Sequence, residues 1–505
     1  MASKGIIKDI ISGAKKIPNW LIFVLIGVLI LRIPSFFEPY SYGDEMIYLT
    51  LGEGLRQGVP FYNGLHDNKP PMLYIMAAIS GSLFWFKVLL AFWNLATIIA
   101  FWKLVERLFP KKTKLHKAST VIFAILTTIP LLEGNIANAE LFMLLPTILA
   151  FYVLFSDKLT KKKLLGAGLL FSFASLFKIP AAFDVPVIFF FWIFTSTLTK
   201  KRVKEIVVNT FFIAVGFVIP IAITMVWYWL QGAFGEYLIA AYLQNVGYLS
   251  SWRPEEQQVS FFVKNGPLLA RGVVVLVGLG VLFWQRSRLP KQFIFVCIWL
   301  LFSLFGVTLS ERPYPHYLIQ AVPTISILFG LLLTDKTIVQ SLALIPLSLA
   351  LFVPVYFNFW RYPTTSYYVK FVNFAVGNIT KDEYFLTFSG NTLRDYKIAQ
   401  LINSVTQKGD KVFVWGSDGK IYALSRRVPP VKYVADYHIR DFWSKEELAK
   451  SLTQTLPQAI VLLPEGKSLP QINKLLDENY ILLTNIEGAN VWVLVKPEVK
   501  SLIKY

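Results

Sequence analysis

The sequence predicts a polytopic α-helical membrane protein of about 11 transmembrane helices with a small α/β domain at its C-terminal, extracytoplasmic end. Three observations predict it. Of the 505 residues 55% are hydrophobic and 16% aromatic, and the mean hydropathy of +0.53 is too apolar for a soluble chain of this length. Long apolar runs alternate with short basic clusters. After Tyr356 the pattern becomes mixed and polar for about 150 residues, enough for one soluble domain.

Taken in order, a charged start from Lys4 to Lys16 precedes an apolar run from Trp20 to about Phe37 with no small-residue cleavage site behind it, which reads as an uncleaved signal anchor. Runs able to approach a hydrocarbon core of about 30 Å, at about 1.5 Å per residue, fall at 19–37, 84–108, 118–132, 140–156, 164–178, 184–198, 206–230, 267–284, 292–309, 317–334 and 337–357. Lys and Arg number 50 against 31 acids, a formal charge of +19. The excess gathers at Lys111-Lys112 with Lys114 and Lys117, Lys158 with Lys161 to Lys163, Lys200-Lys201-Arg202 with Lys204, and Arg286, Arg288 and Lys291. Those loops share one side when the N-terminus is cytoplasmic and the C-terminus outside, so the charge is a topology signal and a nucleic-acid partner is not needed to explain it. The single cysteine, Cys297, lies in an apolar stretch, which excludes an intrachain disulfide and argues against redox chemistry.

The outer loops, 38–83, 133–139, 179–183, 231–266 and 310–316, carry acids, histidine and prolines. In the first, Tyr48 to Gln57 and Met72 to Ile79 read as short interfacial helices, the second opened by Pro70-Pro71. The 231–266 loop, with Trp252-Arg-Pro-Glu-Glu256, is long enough to act as a flap. The transmembrane domain is placed at 1–360 and the external domain at 361–505. In the latter, strands are expected at Lys411–Gly416, Ala459–Leu463, Tyr480–Leu483 and Val491–Val495, with helices at Asp395–Val405, Lys445–Thr455 and Leu469–Glu478. Gly416-Ser-Asp-Gly419 lacks the spacing of a nucleotide-binding fingerprint, and Asp418, Arg426, Arg427, Asp436 and His438 read as solvated.

The best lead to function is the acidic pair Asp44-Glu45 in Ser41-Tyr-Gly-Asp-Glu-Met-Ile-Tyr48, followed by Asp67-Asn-Lys-Pro-Pro71. Together they offer a base and a cation at the depth of a lipid headgroup. The order of an apolar helix, this Asp-Glu pair, Gly58-Val-Pro-Phe-Tyr62 and Asp67-Asn-Lys-Pro-Pro71, and then Ala137-Asn-Ala-Glu-Leu-Phe-Met143, Phe177-Lys-Ile-Pro180 and Arg312-Pro-Tyr-Pro-His-Tyr317, resembles the GT-C class of glycosyltransferases. Within that class it is similar to the protein O-mannosyltransferase and aminoarabinose (ArnT-like) transferase relatives, over about residues 1–335. The resemblance implies a GT-C fold, a polyprenyl-phosphate-linked sugar donor, an external active site and inversion at the anomeric carbon.

The chemistry of the residues agrees. Transfer to a hydroxyl needs a carboxylate within about 3 Å of the acceptor proton, and Asp44, with Glu45 beside it, is the choice. The leaving phosphate needs cations more than an acid, and Lys69, Arg312, Lys178 and His316 with Tyr317 are the candidates. Tyr62, Asp67 and Glu140 are candidates for the substrate site, Glu140 with Glu133 beside it. A divalent metal is left open, with Glu45, Asp67 and His316 as candidate ligands. Asn68 stands directly before Lys69 where the resemblance leads one to expect an acid.

Each residue also has a plainer explanation. Asp44 and Glu45 suit the first turn of a helix, Lys69 and Lys178 can hold helix ends near headgroups, Glu140 can favour its helix dipole, and Arg312 and His316 can be residues of a tight turn. Two further functions compete with a hexosyl- or pentosyltransferase of the cell envelope. A transporter would show broken helices in two halves and charges at mid-membrane. A non-catalytic membrane anchor for the external domain would not need eleven spans. Donor sugar, acceptor (glycolipid, polymer or protein) and polyprenyl length are not written in any motif.

Overall fold

The structure, a computed structural model, describes residues 17–244, 261–310, 312–416 and 419–495. The charged N-terminal start, the centre of the expected flap including Trp252 to Glu256, Glu311 and Asp418 lie outside the described residues.

From the N-terminus, α1 (Asn19–Arg32) leads into α2 (Gly43–Arg56) and α3 (Met72–Ser80), the two short helices expected in the first outer loop. There follow α4 (Leu83–Leu108), α5 (Thr113–Leu126), α6 (Ala139–Leu154), α7 (Lys161–Ser175), α8 (Val185–Phe194), α9 (Lys200–Leu230), α10 (Phe261–Trp284), α11 (Lys291–Thr308), α12 (Val322–Thr334) and α13 (Leu344–Tyr356). Every predicted apolar run contains a helix. Among the described residues seven segments are long and apolar enough to cross a membrane: Asn19–Phe37, Leu83–Leu108, Lys200–Leu230, Asn265–Trp284, Lys291–Thr308, Pro315–Thr334 and Ile338–Tyr356. The other four runs form α5 to α8, helices of 14, 16, 15 and 10 residues, which at about 1.5 Å per residue reach only about 15–24 Å. The burial of α6 explains why a short helix suffices, since nearly all its side chains face protein. The long α9, by contrast, exposes Val218, Ile219, Ile223 and Val226, a surface suited to hydrocarbon.

The chain forms two compact units. The first comprises residues up to 33, 88–227 and 242–364. In it α6 packs along α7 and α12 along α5, around an aromatic core in which Phe151 lies 4.6 Å from Trp299 and Phe155 4.6 Å from Phe295, centroid to centroid. Helices α7 and α9 cross at glycines: a Cβ on Gly168 would sit 2.9 Å from Gly216 Cα, so a side chain there would force the backbones apart. Asp184 is buried among neutral donors, accepting from Trp299 Nε1 (3.0 Å), Ser303 Oγ (3.3 Å) and Gln320 Nε2 (3.4 Å).

The second unit comprises 34–87, 228–241 and the chain from 365 onward. After α14 (Thr364–Ala375) and α15 (Thr392–Val405) come β1 (Val412–Trp415), α16 (Lys420–Ser425), α17 (Asp436–Phe442), α18 (Lys445–Thr455), β2 (Ala459–Leu462), α19 (Asn473–Asn479), β3 (Tyr480–Ile486) and β4 (Ala489–Leu494). All four expected strands are present, in the order β1-β2-β4-β3. β1 runs parallel to β2, and β4 is antiparallel to both β2 and β3. Glu487 (φ 49°) and Gly488 (φ 85°) make the two-residue turn of the β3–β4 hairpin. Phe413, Trp415, Leu448, Leu452, Ile460 and Leu476 fill the core on one side of the sheet. α2 packs against α16, where Gly419, at φ 100°, brings its backbone within reach of the Thr50 hydroxyl. Arg427 and Asp436, expected to be solvated, are buried; Arg427 donates to the Thr406 hydroxyl (2.9 Å), Thr406 O (3.0 Å) and Ser425 O (3.0 Å).

Candidate active site

In the second unit the acidic pair opens α2, where the helix dipole favours negative charge. Adjacent helical residues point about 100° apart, and the two acids accordingly meet different surroundings. Glu45 is 1% exposed and pairs with Lys87 Nζ at 2.8 Å. The same ammonium, its side chain 0% exposed, reaches Glu38 at 2.9 Å, and the Tyr367 hydroxyl donates to the other Glu38 oxygen at 2.5 Å. Asp44 is half-buried and accepts the Tyr48 hydroxyl, one turn along, at 3.2 Å. Among the described residues no salt bridge reaches Asp44.

Tyr48 also lies beneath Lys69, whose Nζ is 5.0 Å from the ring centroid. Base and cation candidates thus share one tyrosine. The loop between them is held by Tyr62, which adopts the left-handed conformation (φ 70°), packs against Tyr228 (5.0 Å) and Tyr237 (5.1 Å), and donates its hydroxyl to Lys69 O at 2.7 Å. Asp67 accepts from the Tyr74 hydroxyl (2.7 Å) and the Asn68 N–H (2.8 Å), with Lys69 Nζ at 3.7 Å. Burial pushes the Asp67 carboxyl upward, but Lys69, His438 and these hydrogen bonds outweigh it and hold it below the usual carboxylate range. His438, from α17, belongs to this neighbourhood. Burial holds its imidazole below the usual histidine range, and it interacts electrostatically with Asp67, Lys69, Asp441 and Asp44.

The first unit holds a separate cluster. Glu133 ends a short 3₁₀ turn (Pro130–Leu132) in the left-handed conformation (φ 57°) with its side chain buried. Its carboxylate pairs with His316 Nδ1. His316 Nε2 faces Glu140, in the first turn of α6, at 3.7 Å. Lys178 pairs with Glu140 and sits 3.6 Å from the centroid of the Tyr317 ring. His316 and Tyr317 ride on the 3₁₀ turn Pro315–Ala321, stitched to the turn after Lys178 by Gln320, which donates to Pro180 O at 2.9 Å. Arg312 is exposed on the extended segment just before. Asn138, at the start of α6, is buried with neither side-chain polar atom hydrogen-bonded to protein.

Among the candidates, the structure brings Asp44, Glu45, Tyr62, Asp67 and Lys69 into the second unit and Glu140, Lys178, Arg312, His316 and Tyr317 into the first. Sequence reasoning passed over Lys87, Glu38, Tyr367 and His438. A lysine in the first turn of a predicted span is a usable signal, because burying it requires acids; His438 carries no such signal. Each candidate metal ligand has another partner. Glu45 is taken by Lys87, Asp67 by Tyr74 and Lys69, and His316 by carboxylates in the other unit. Among the described residues no three His, Cys, Asp or Glu side chains are grouped to hold an ion.

The chain as a whole is similar to proteins of known structure. The chain is similar to ArnT from Cupriavidus metallidurans bound to undecaprenyl phosphate, with a TM-score of 0.58 and 14% identity over 94% of this chain and 98% of that one. It is also similar to the apo state of the same protein, with a TM-score of 0.56, 14% identity and the same coverage. A fainter likeness, with a TM-score of 0.48 and 11% identity over 95% of this chain and 74% of that one, is to the apo oligosaccharyltransferase of Archaeoglobus fulgidus. The chain has an ArnT-like GT-C fold and is a multi-pass membrane protein. A family model described as "Putative competence-induced protein Ccs4 C-terminal domain" matches residues 394–494. No curated protein matches the sequence.

Proposed function

We propose that this protein is an integral-membrane inverting glycosyltransferase that moves one hexosyl or pentosyl unit from a polyprenyl-phosphate donor to an extracytoplasmic hydroxyl, on a glycolipid, an envelope polymer or a protein. The observation that carries the reading is the double use of Tyr48, whose hydroxyl holds Asp44 and whose ring lies under Lys69. In this reading the N-terminus is cytoplasmic, residues 1–360 form the transferase body and residues 361–505 the external domain. The acceptor oxygen attacks the anomeric carbon as Asp44 takes its proton, and the bond to the phosphate oxygen breaks with its electrons leaving on the lipid phosphate. Lys69 balances that phosphate, and Lys178, Arg312, His316 and Tyr317 are proposed as further phosphate ligands. Tyr62, Asp67 and Glu140 act as support for these groups. The ArnT structure bound to undecaprenyl phosphate supports the lipid class of the donor.

The test is transfer of radiolabelled sugar from a polyprenyl-phosphate donor by purified protein. Asp44→Asn is expected to lower the rate about 10²–10⁴-fold, the range for loss of a general base, with unfolding temperature unchanged. Near wild-type turnover by that variant overturns the assignment of the base.

A further inference from the structure

Resting on the assignment of Asp44 as base, we propose that Lys87 is a positioning residue for this reaction, fixing the first turn of α2 that aims Asp44. Lys87 is the fifth residue of α4, far from any basic cluster of the sequence, and its ammonium is enclosed between Glu45 and Glu38 at 2.8 and 2.9 Å. Glu45 is the chain neighbour of Asp44, so whatever holds its carboxylate also holds the rotation of the turn that aims Asp44. Glu38 lies in the segment entering α2, and Tyr367 secures its second oxygen at 2.5 Å. The lock therefore ties three chain segments around one ammonium.

A contact that merely holds the fold together would not lower kcat selectively over the donor KM in the folded protein, nor would that loss be restored by another cation at the same position.

The experiment is steady-state donor-to-acceptor transfer by full-length protein in detergent or nanodiscs, for wild type, Lys87→Met, Lys87→Arg and Glu45→Gln, with Asp44→Asn in parallel. Lys87→Met is expected to lower kcat about 100-fold, the cost of a misplacement of about 1 Å, with the donor KM little changed. Lys87→Arg restores most of kcat, and Glu45→Gln, which keeps the Lys87–Glu38 pair, lowers kcat with the donor KM little changed. Wild-type kcat in Lys87→Met and Glu45→Gln, while Asp44→Asn is inactive, overturns the role of Lys87 alone. Full activity of Asp44→Asn overturns the base assignment itself. If Lys87→Met does not fold, Glu45→Gln carries the test.

Discussion

The two compact units treat buried charge in opposite ways. In the first, Glu133 and Glu140 face His316 and Lys178, and both of these cation candidates already hold a carboxylate. In the second, Glu38 and Glu45 share Lys87, Asp67 lies 3.7 Å from Lys69, and Asp44 accepts a phenol hydroxyl at the start of its helix with no salt bridge to it among the described residues. The difference separates two tasks. In the proposed reaction a phosphate arriving at Lys178 or His316 would exchange with a carboxylate, whereas at Lys69 it would meet a cation whose pair with Asp67 is long, at 3.7 Å. Acids and bases of the proposed reaction are thus better ranked by what they are bound to than by their exposure.

The comparison breaks most sharply on stability. Lys178→Met leaves Glu140 in a buried site with, among the described residues, His316 at 3.7 Å as its remaining cation, and removing one partner of a buried pair costs about 3–5 kcal/mol. Thermal unfolding in detergent should fall accordingly, and Glu140→Gln in the same chain should restore most of it. Lys69→Met, which leaves a partly exposed and longer pair, should cost only about 1 kcal/mol while impairing transfer more. Equal losses of stability in the two variants would erase the distinction between the units.

A second, smaller effect concerns pH. Because Asp67 is held below the usual carboxylate range on folding, it binds fewer protons in the native than in the unfolded state. Its contribution is therefore complete above about pH 4, the ordinary carboxylate range, and is lost as pH falls below that. Asp67→Asn should lower the unfolding temperature at pH 7 by the equivalent of about 1.5–3 kcal/mol, the worth of hydrogen bonds to a charged group. The gap from wild type should close as the pH is taken toward 3. A gap that is constant with pH would show that shape, not charge, is what Asp67 supplies.

How much of this was legible without coordinates follows from the range of the forces involved. Periodicity and composition are local, so the apolar runs, the four strands and the helices of the first outer loop were readable from sequence. So were the chemically distinct residues Asp44, Lys69, Lys178 and His316, because each stands in a short motif with few alternatives. What was not legible is who pairs with whom. Lys87 reads as the start of a span until Glu38 and Glu45 close around it, and His438 reads as a surface residue until α17 is packed. The lengths of α5 to α8 were also hidden, because a helix enclosed by protein is not obliged to match the hydrocarbon thickness, and only packing tells which helices are enclosed.

The smallest expected effect sits at the opposite extreme from Lys178. Asp335 follows the end of α12, accepting from the Thr337 N–H (2.9 Å) and hydroxyl (2.7 Å) and pairing with Lys112 at 2.5 Å, where the lysine side chain is 48% exposed. Burial raises its carboxyl but is overcome by these partners, which bring it down to about 2. Much of that pairing is screened by water, so Lys112→Ala should cost no more than about 1 kcal/mol and less at high salt. Asp335→Ala should cost somewhat more than Lys112→Ala, since the Thr337 bonds go with it, and its contribution should fade only as pH falls from about 4 toward about 2. Unfolding temperatures of both variants at low and high salt check this. A salt-independent loss of several kcal/mol on removing Lys112 would mean that this pair belongs with the buried ones, and that exposure does not divide the ion pairs of this protein into two kinds.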